Sequence, residues 1–164
     1  MSYLEYCSNC GRKNEKGHID GNIRFHCTQC KAIHYENPKP TATLICPKED
    51  SILLGRRAFN PGKGEWGLPG GFMELNETLE EAAQRELKEE TNLEGRVTKI
   101  LGTCSHYGSV FGDILLIGLV IEINDWSIMN EGDDIYDLQF FNLDNLPELA
   151  FDCHQKIVSL YKNS

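Results

Sequence analysis

No stretch of this chain is long and apolar enough to span a bilayer, which takes about 20 residues, so the sequence predicts no membrane-embedded segment. The opening residues, Met1-Ser2-Tyr3-Leu4-Glu5-Tyr6, have neither the basic cluster nor the apolar run of a secretory leader, and the cytoplasm is the expected compartment. Positive charge is scarce: 16 Lys and Arg stand against 25 Asp and Glu, for a net charge of −9. An acidic chain repels nucleic-acid phosphates at long range, which argues against a general nucleic-acid binder. Internal repeats and low-complexity tracts are missing, which excludes solenoids and disordered tails. The seven cysteines are an odd number in a chain with no leader, which argues against a disulfide framework.

The charge is unevenly spread. Residues 1–35 carry five basic side chains (Arg12, Lys13, Lys16, Arg24, Lys31) and three acidic ones (Glu5, Glu15, Asp20), a balance of +2, which leaves −11 for the rest. A length of 164 residues suits one domain with a small appendage. Residues 31–40 end in Asn-Pro-Lys-Pro, and Pro38 and Pro40 favour extended chain, so this stretch reads as a linker. The expected division is a small unit over 1–36 and a larger domain over 37–164.

In the small unit, Cys7-x2-Cys10 and Cys27-x2-Cys30 are separated by 16 residues. Two residues between cysteines let both sulfurs turn toward one point, and two such knuckles complete the tetrahedron that Zn²⁺ prefers. Some 30 residues cannot bury enough apolar surface to fold alone, and a metal supplies the deficit. Four thiolates close the site, so the zinc reads as structural, and His18, His26 and His34 read as ordinary loop residues. Cys46, Cys104 and Cys153 read as buried or indifferent thiols.

Downstream, Thr41–Cys46 and Ser51–Arg57 predict a hairpin about Pro47-Lys48-Glu49-Asp50. Residues 60–71, dense in Gly and Pro, predict a loop. Residues 78–92 predict a helix, capped by Thr78 or Asn76. Strands are expected over 97–107, 114–123 and 136–143, and a final helix over 151–161. Strands mixed with two helices suggest an α+β architecture, an α/β/α sandwich on a mixed sheet.

The central helix has a misplaced charge. On a wheel of about 100° per residue with Glu86 at 0°, Leu79 falls near 20°, Ala82 near −40°, Ala83 near 60° and Glu90 near 40°. Glu86 and Glu90 therefore sit in the middle of the apolar stripe. They are also a like-charge i,i+4 pair, which is unfavourable alone. Carboxylates pressed toward a core call for a partner. A hard divalent cation fits, because Mg²⁺ takes carboxylate oxygens and shares them with phosphate and water. It would also let an acidic domain accept a phosphorylated substrate.

The run Gly71-x5-Glu77-x7-Arg85-Glu86-Leu87-x-Glu89-Glu90-x-Asn92-Leu93 closely resembles the Nudix box. One position departs: Asn92 stands where the family has glycine, and Asn is the next most tolerant residue of a left-handed helix end. The preceding run Gly64-Glu-Trp-Gly-Leu-Pro-Gly-Gly71 is similar to the stretch before the box. The resemblance implies a Nudix sandwich preceded by a zinc ribbon. It implies Glu86, Glu89 and Glu90 as ligands of Mg²⁺ (or Mn²⁺), with a carbonyl near Gly70 or Gly71 as a further ligand. Glu77 would support the metal cluster, and Arg85 would hold a glutamate by an ion pair. The reaction implied is attack of water on a phosphorus of a nucleoside diphosphate derivative. The base stays open among Glu89, Glu90 and the later acids Glu131, Asp133 and Asp134.

The four cysteines, then His34-Tyr35-Glu36-Asn37-Pro38, then the box, resemble the zinc-ribbon branch of the family, which includes NADH pyrophosphatases and relatives taking ADP-ribose or FAD. The Ser-Gln-Pro-Trp-Pro-Phe-Pro run of the NADH enzymes is absent from the matching region, Gly102–Ser109. The proline of one ADP-ribose class and the coenzyme A signature are also absent. The expected substrate is a small nucleotide diphosphate, with FAD and ADP-ribose ahead of NADH and with no nucleic acid and no membrane as partners. Phe72, Tyr107 and Phe111 are candidates for stacking on a ring. Arg56 and Arg57 lie on opposite faces of a strand, so that one can grip phosphate while the other faces solvent. Two alternatives remain: hydrolysis of nucleotide caps on RNA 5′ ends, and a non-catalytic regulator. By analogy with the family a homodimer is expected, with Trp126 and the strand before it at the interface.

Overall fold

A computed structural model describes residues 4–164 apart from Asp133. The chain divides into two compact units, Met1–Asn37 and Pro38–Ser164. In the first, β1 (Glu15–Ile19), β2 (Asn22–His26) and β3 (Ile33–His34) form an antiparallel three-stranded sheet. Asp20 and Gly21, at φ 50° and 80°, make the two-residue turn between β1 and β2. Two expectations are corrected here. His18, His26 and His34 lie on the three strands, not in loops. Residues 31–40 are not a plain linker either, because β3 pairs with β2 and the next strand begins at Lys39.

The second unit runs β4 (Lys39–Ile45), β5 (Pro47–Lys48), β6 (Ser51–Arg57), β7 (Trp66–Gly67), β8 (Gly70–Phe72), α1 (Leu79–Thr91), β9 (Gly95–Ser109), β10 (Gly112–Ile123), β11 (Ile135–Asn142) and α2 (Asp152–Lys162). One sheet has the order β8-β4-β10-β9 and is mixed: β10 is parallel to β4 and antiparallel to β9. The other has the order β11-β6-β5, with β7 also on β6. The expected hairpin at residues 41–57 is therefore only half formed. Pro47 and Lys48 belong to the ladder with β6, and Glu49 turns at φ 54°. But β4 and β6 lie in different sheets. Residues 41–45 of β4 and 52–55 of β6 are buried without alternation, so these segments have no polar face to leave in water and need cover on two sides.

Alternation along these strands feeds two cores. Ala42, Leu44, Cys46 and Leu53 join Ala82, Ala83 and Leu87 of α1 in one. Ile45, Ile52 and Leu54 join Cys153, Ile157 and Val158 of α2 in the other. A helix thus covers each side, as an α/β/α sandwich requires. Trp126, half-buried, packs against the first core, where its ring stands edge-on to Phe140 at 5.0 Å.

The expected loop at 60–71 holds for 60–65 and 68–69 but is interrupted by β7 and by the start of β8. Gly70 makes this possible, with φ 129° and a position where a Cβ would lie 2.1 Å from the Ala42 carbonyl oxygen. Helix α1 begins with a capping box, in which the Thr78 side chain accepts from the Glu81 N–H and Glu81 reaches back to the Thr78 N–H. It ends at Asn92, left-handed at φ 56°, whose side chain donates to the Ile128 carbonyl at 2.7 Å. Asn therefore serves in place of glycine and also ties the helix end to a later loop.

Leu87 is fully buried in the first core. Leu87→Ala should lower stability by about 2–5 kcal/mol in urea denaturation. A loss under about 1 kcal/mol would mean that α1 does not pack as described.

Candidate functional site

The four cysteines converge. Cys7 Sγ lies 3.6 Å from Cys30 Sγ and Cys10 Sγ lies 3.5 Å from Cys27 Sγ, and all four sulfurs are within 4.8 Å of one another. A tetrahedron with Zn–S bonds of ~2.3 Å needs sulfurs about 3.8 Å apart, so the set fits zinc. The knuckles are locally alike. The Gly11 N–H donates to the Cys7 carbonyl and the Lys31 N–H to the Cys27 carbonyl, and Gly11 and Lys31 both have positive φ. Backbone amides of Cys30 and Gln29 point at Cys27 Sγ and lower its thiol to about 7, while the neighbouring sulfurs push Cys10 up to about 12 and burial and the neighbouring sulfurs raise Cys30, so the four sulfurs share protons until a cation replaces them.

On α1, Arg85 is the hub of the carboxylates. Its guanidinium bonds Glu77 at 2.8 Å, Glu86 at 2.7 Å and Glu89 at 3.0 Å, and donates to the Phe72 carbonyl at 2.9 Å. The bonds from Arg85 hold Glu77 below the usual carboxylate range. Glu86 and Glu90 have the opposite shift. Burial raises both, and the negative charge of Asp134 adds to it; Glu90 reaches about 8 even though its Oε2 accepts the Gly70 N–H at 2.7 Å. The spacing on the wheel anticipated this strain. Gly71 has no side chain because a Cβ there would meet Glu86 Oε1 at 2.5 Å. Among the described residues, only the cysteines form a group of three or more ligating side chains within 4.8 Å. Arg85 and the Gly70 amide hold the glutamates in other bonds.

Glu86 and Glu90 open onto a cavity of about 470 Å³, which Gly70, Gly71, Phe72 and Asp134 also line. Of the arginine pair, Arg57 lines it and Arg56 does not. Neither side chain is free in solvent, which corrects that expectation. Arg57 Nε donates to the Pro61 carbonyl at 2.8 Å with its guanidinium over Phe151, and Arg56 Nε donates to the Gly64 carbonyl at 2.9 Å with its guanidinium over Trp66. Tyr107 is 74% exposed and outside the cavity, whereas Phe111 and Phe72 line it. Strand alternation on β9 sends Tyr107 away from its neighbour His106, which lines the wall. Of the later acids, Asp134 lines the cavity and Glu131 does not, while Asp133 lies outside the described residues.

Sequence reasoning missed His154 and Phe151. His154 is buried against the cavity, and its Nδ1 accepts the Leu68 N–H at 3.0 Å. One histidine on an amphipathic helix carries no signal of that role. Burial first, then the charges of Arg57 and His106, lower it to about 3. A neutral ring is what an amide-accepting nitrogen beside a cation requires.

The family is now evident on both units. A model described as "NUDIX domain" matches residues 37–161, and one described as "Nudix N-terminal" matches residues 5–36. The chain belongs to the Nudix family. It is similar to the ADP-ribose pyrophosphatase of Methanocaldococcus jannaschii, at 41% identity over 128 residues, covering 77% of this chain and 75% of that protein. It is also similar to the NAD-capped RNA hydrolase NudC of Vibrio vulnificus, at 28% identity over 90% of this chain and 54% of that protein. The chain spans about half the length of these latter relatives. A crystal structure of a NUDIX hydrolase from Nitrosomonas europaea matches with a TM-score of 0.83 at 29% identity, covering 97% of this chain and 90% of that one.

Two measurements test the geometry. Metal analysis of the purified chain should find about one zinc per chain, and Cys7→Ser should lower thermal stability; a zinc content near zero would rule out the cluster as a metal site. His154 stays neutral in the fold down to about pH 3, while the unfolded chain protonates it near pH 6.5. Its contribution to stability is therefore full above about pH 6.5 and falls as the pH drops below that value. His154→Gln should reduce the acid-side slope of unfolding free energy by up to about 1.4 kcal/mol per pH unit. Equal slopes in the two proteins would contradict the buried neutral ring.

Proposed function

We propose that this chain hydrolyses the diphosphate linkage of a small nucleoside diphosphate derivative, of the ADP-ribose or FAD class, with divalent metal. The observation that carries the reading is the pair Glu86 and Glu90. They are two carboxylates of one helix, desolvated and raised in pKa, facing a cavity that also holds one cation, Arg57. The ADP-ribose pyrophosphatase of M. jannaschii supports the substrate class.

Glu86, Glu89 and Glu90, with the Gly70 carbonyl, would hold Mg²⁺ or Mn²⁺, and the donor set fits a hard cation because it is all oxygen. The bound metal supplies charge neutralisation at phosphate and a more acidic water. The chain's own residues do the rest. Arg57 is already oriented by Pro61 and Phe151, so it offers its remaining N–H groups to a phosphate oxygen with little entropy to lose. Glu77 locks Arg85, and Arg85 sets the rotamers of Glu86 and Glu89. Asp134 lines the same cavity, near enough for its charge to raise Glu86 and Glu90, and is our candidate to take the proton of the attacking water on its carboxylate.

A second reading, hydrolysis of a nucleotide cap on RNA, is favoured by the NAD-capped RNA hydrolases among the relatives. It uses the same bond cleavage. A turnover panel of ADP-ribose, FAD, NADH and capped RNA separates the two.

The double substitution Glu89→Gln, Glu90→Gln should abolish turnover and leave the circular dichroism spectrum intact; full activity would end this mechanism. Asp134→Asn should lower kcat by about 10²–10⁴, whereas Glu131→Gln should not. Unchanged kcat in Asp134→Asn would return the base to the helix glutamates.

A further inference from the structure

The hydrolysis leaves one buried titratable group unused, His154. Its Nδ1 accepts the Leu68 N–H, and burial and the charges of Arg57 and His106 keep the ring neutral. A neutral imidazole that accepts on one nitrogen carries its proton on the other. His154 therefore presents an Nε2–H donor. Among the described residues, the side-chain nitrogens sealed from solvent without a partner are Arg24 Nε, His26 Nδ1 and His34 Nε2. His154 Nε2 has no partner in the protein and is not one of these, and its ring lines the cavity. The donor is therefore open to whatever the cavity holds.

Two more nitrogen groups stand around the same phenyl ring. The Phe151 centroid lies 5.3 Å from that of His154, 6.1 Å from that of His106 and 5.1 Å from the Arg57 guanidinium. The three side chains come from α2, β9 and β6, and all line the cavity. Arg57 gives Nε to the Pro61 carbonyl and forms no ion pair among the described residues, whereas Arg85 and Arg96 of the same unit are paired with glutamates. Its two terminal amino groups are thus unused. His106 has no hydrogen-bond partner in the protein. A guanidinium and an Nε2–H can only donate, so the group that satisfies both is an acceptor, and the positive charge favours an oxyanion. Arg57 is also near enough to α1 for its charge to act on Glu90, so an anion seated here lies within reach of the helix carboxylates.

We infer that Arg57, the Nε2–H of His154 and His106 form a phosphate subsite around Phe151, in which His154 is the uncharged donor. The inference rests on the hydrolase reading for the identity of the substrate and adds His154 and His106 to the residues that hold it. The Leu68 N–H fixes the tautomer and the ring plane, so the donor is aimed before the phosphate arrives. A neutral donor adds a hydrogen bond to the phosphate without adding repulsion against Arg57.

His154→Asn places a carbonyl where Nδ1 stood and keeps the Leu68 bond but loses the donor. His154→Gln places an amide nitrogen near the Nε2 position and keeps the donor. In calorimetry on the full chain, His154→Asn should weaken adenosine 5′-monophosphate on the order of tenfold, as loss of a hydrogen bond to a charged group predicts, and leave adenosine unchanged. His154→Gln should bind both as the parent does. A histidine that serves packing alone predicts the reverse order of the two variants, and that result would overturn the subsite. Equal weakening of both ligands, or a parent chain that binds the monophosphate no better than adenosine, would do the same. The parent chain gives a second readout that does not depend on how a variant folds: nitrogen NMR should show the His154 Nε2–H signal move with the monophosphate and not with adenosine, and an unmoved signal would end the inference. Monophosphate binding that follows residue 154 in a chain that cleaves no diphosphate would leave the subsite standing and remove the hydrolase reading instead. A working hydrolase indifferent to both substitutions would remove the subsite alone.

Discussion

Arg85 joins three carboxylates and one backbone carbonyl, and the site depends on that junction. Without it, Glu77 ahead of α1 and Glu86 and Glu89 on the helix would stand near one another as uncompensated charge. With it, Glu86 and Glu89 have fixed directions and β8 is fastened to the helix through the Phe72 carbonyl. Glu90 is the remaining acid, and its partner is the Gly70 amide. Both ends of β8 therefore bond to α1, and strand, helix and cavity form one rigid unit.

The same junction explains the glycines. Gly70 comes close to the β4 backbone, and Gly71 comes close to the Glu86 carboxylate. A side chain at either position would push the strand off the sheet or the acid off the helix face. Desolvation of Glu86 and Glu90 is an electrostatic cost of the kind that a cation offsets.

Much of this was legible in one dimension because it is periodic or closely spaced. The wheel put Glu86 and Glu90 on the apolar stripe, the knuckle spacing put four sulfurs at one point, and Asn92 was tolerable at a helix end. The hairpin at 41–57 was misread because local pairing says nothing about which sheet a strand enters. β4 and β6 separate because both are buried on two faces, which depends on the layers above and below. The run at 60–71 is loop with special backbone over 60–65 and 68–69, as glycine and proline density implies, but that density does not reveal the short strands at 66–67 and from 70, the second pressed against its neighbour.

By itself the sequence determined the local arrangement of the candidate ligands: cysteine pairs at knuckle spacing, glutamates at helical spacing, and a cap at each end of α1. These are short-range facts, set by the geometry of one turn or one helix. Only the tertiary structure decided which arginine meets the cavity, that Tyr107 leaves it while Phe111 stays, that Asp134 joins Glu86 and Glu90 at the cavity, and that His154 lies neutral against β7. Those choices come from strand register and from contacts between residues tens of positions apart, for which no local pattern exists.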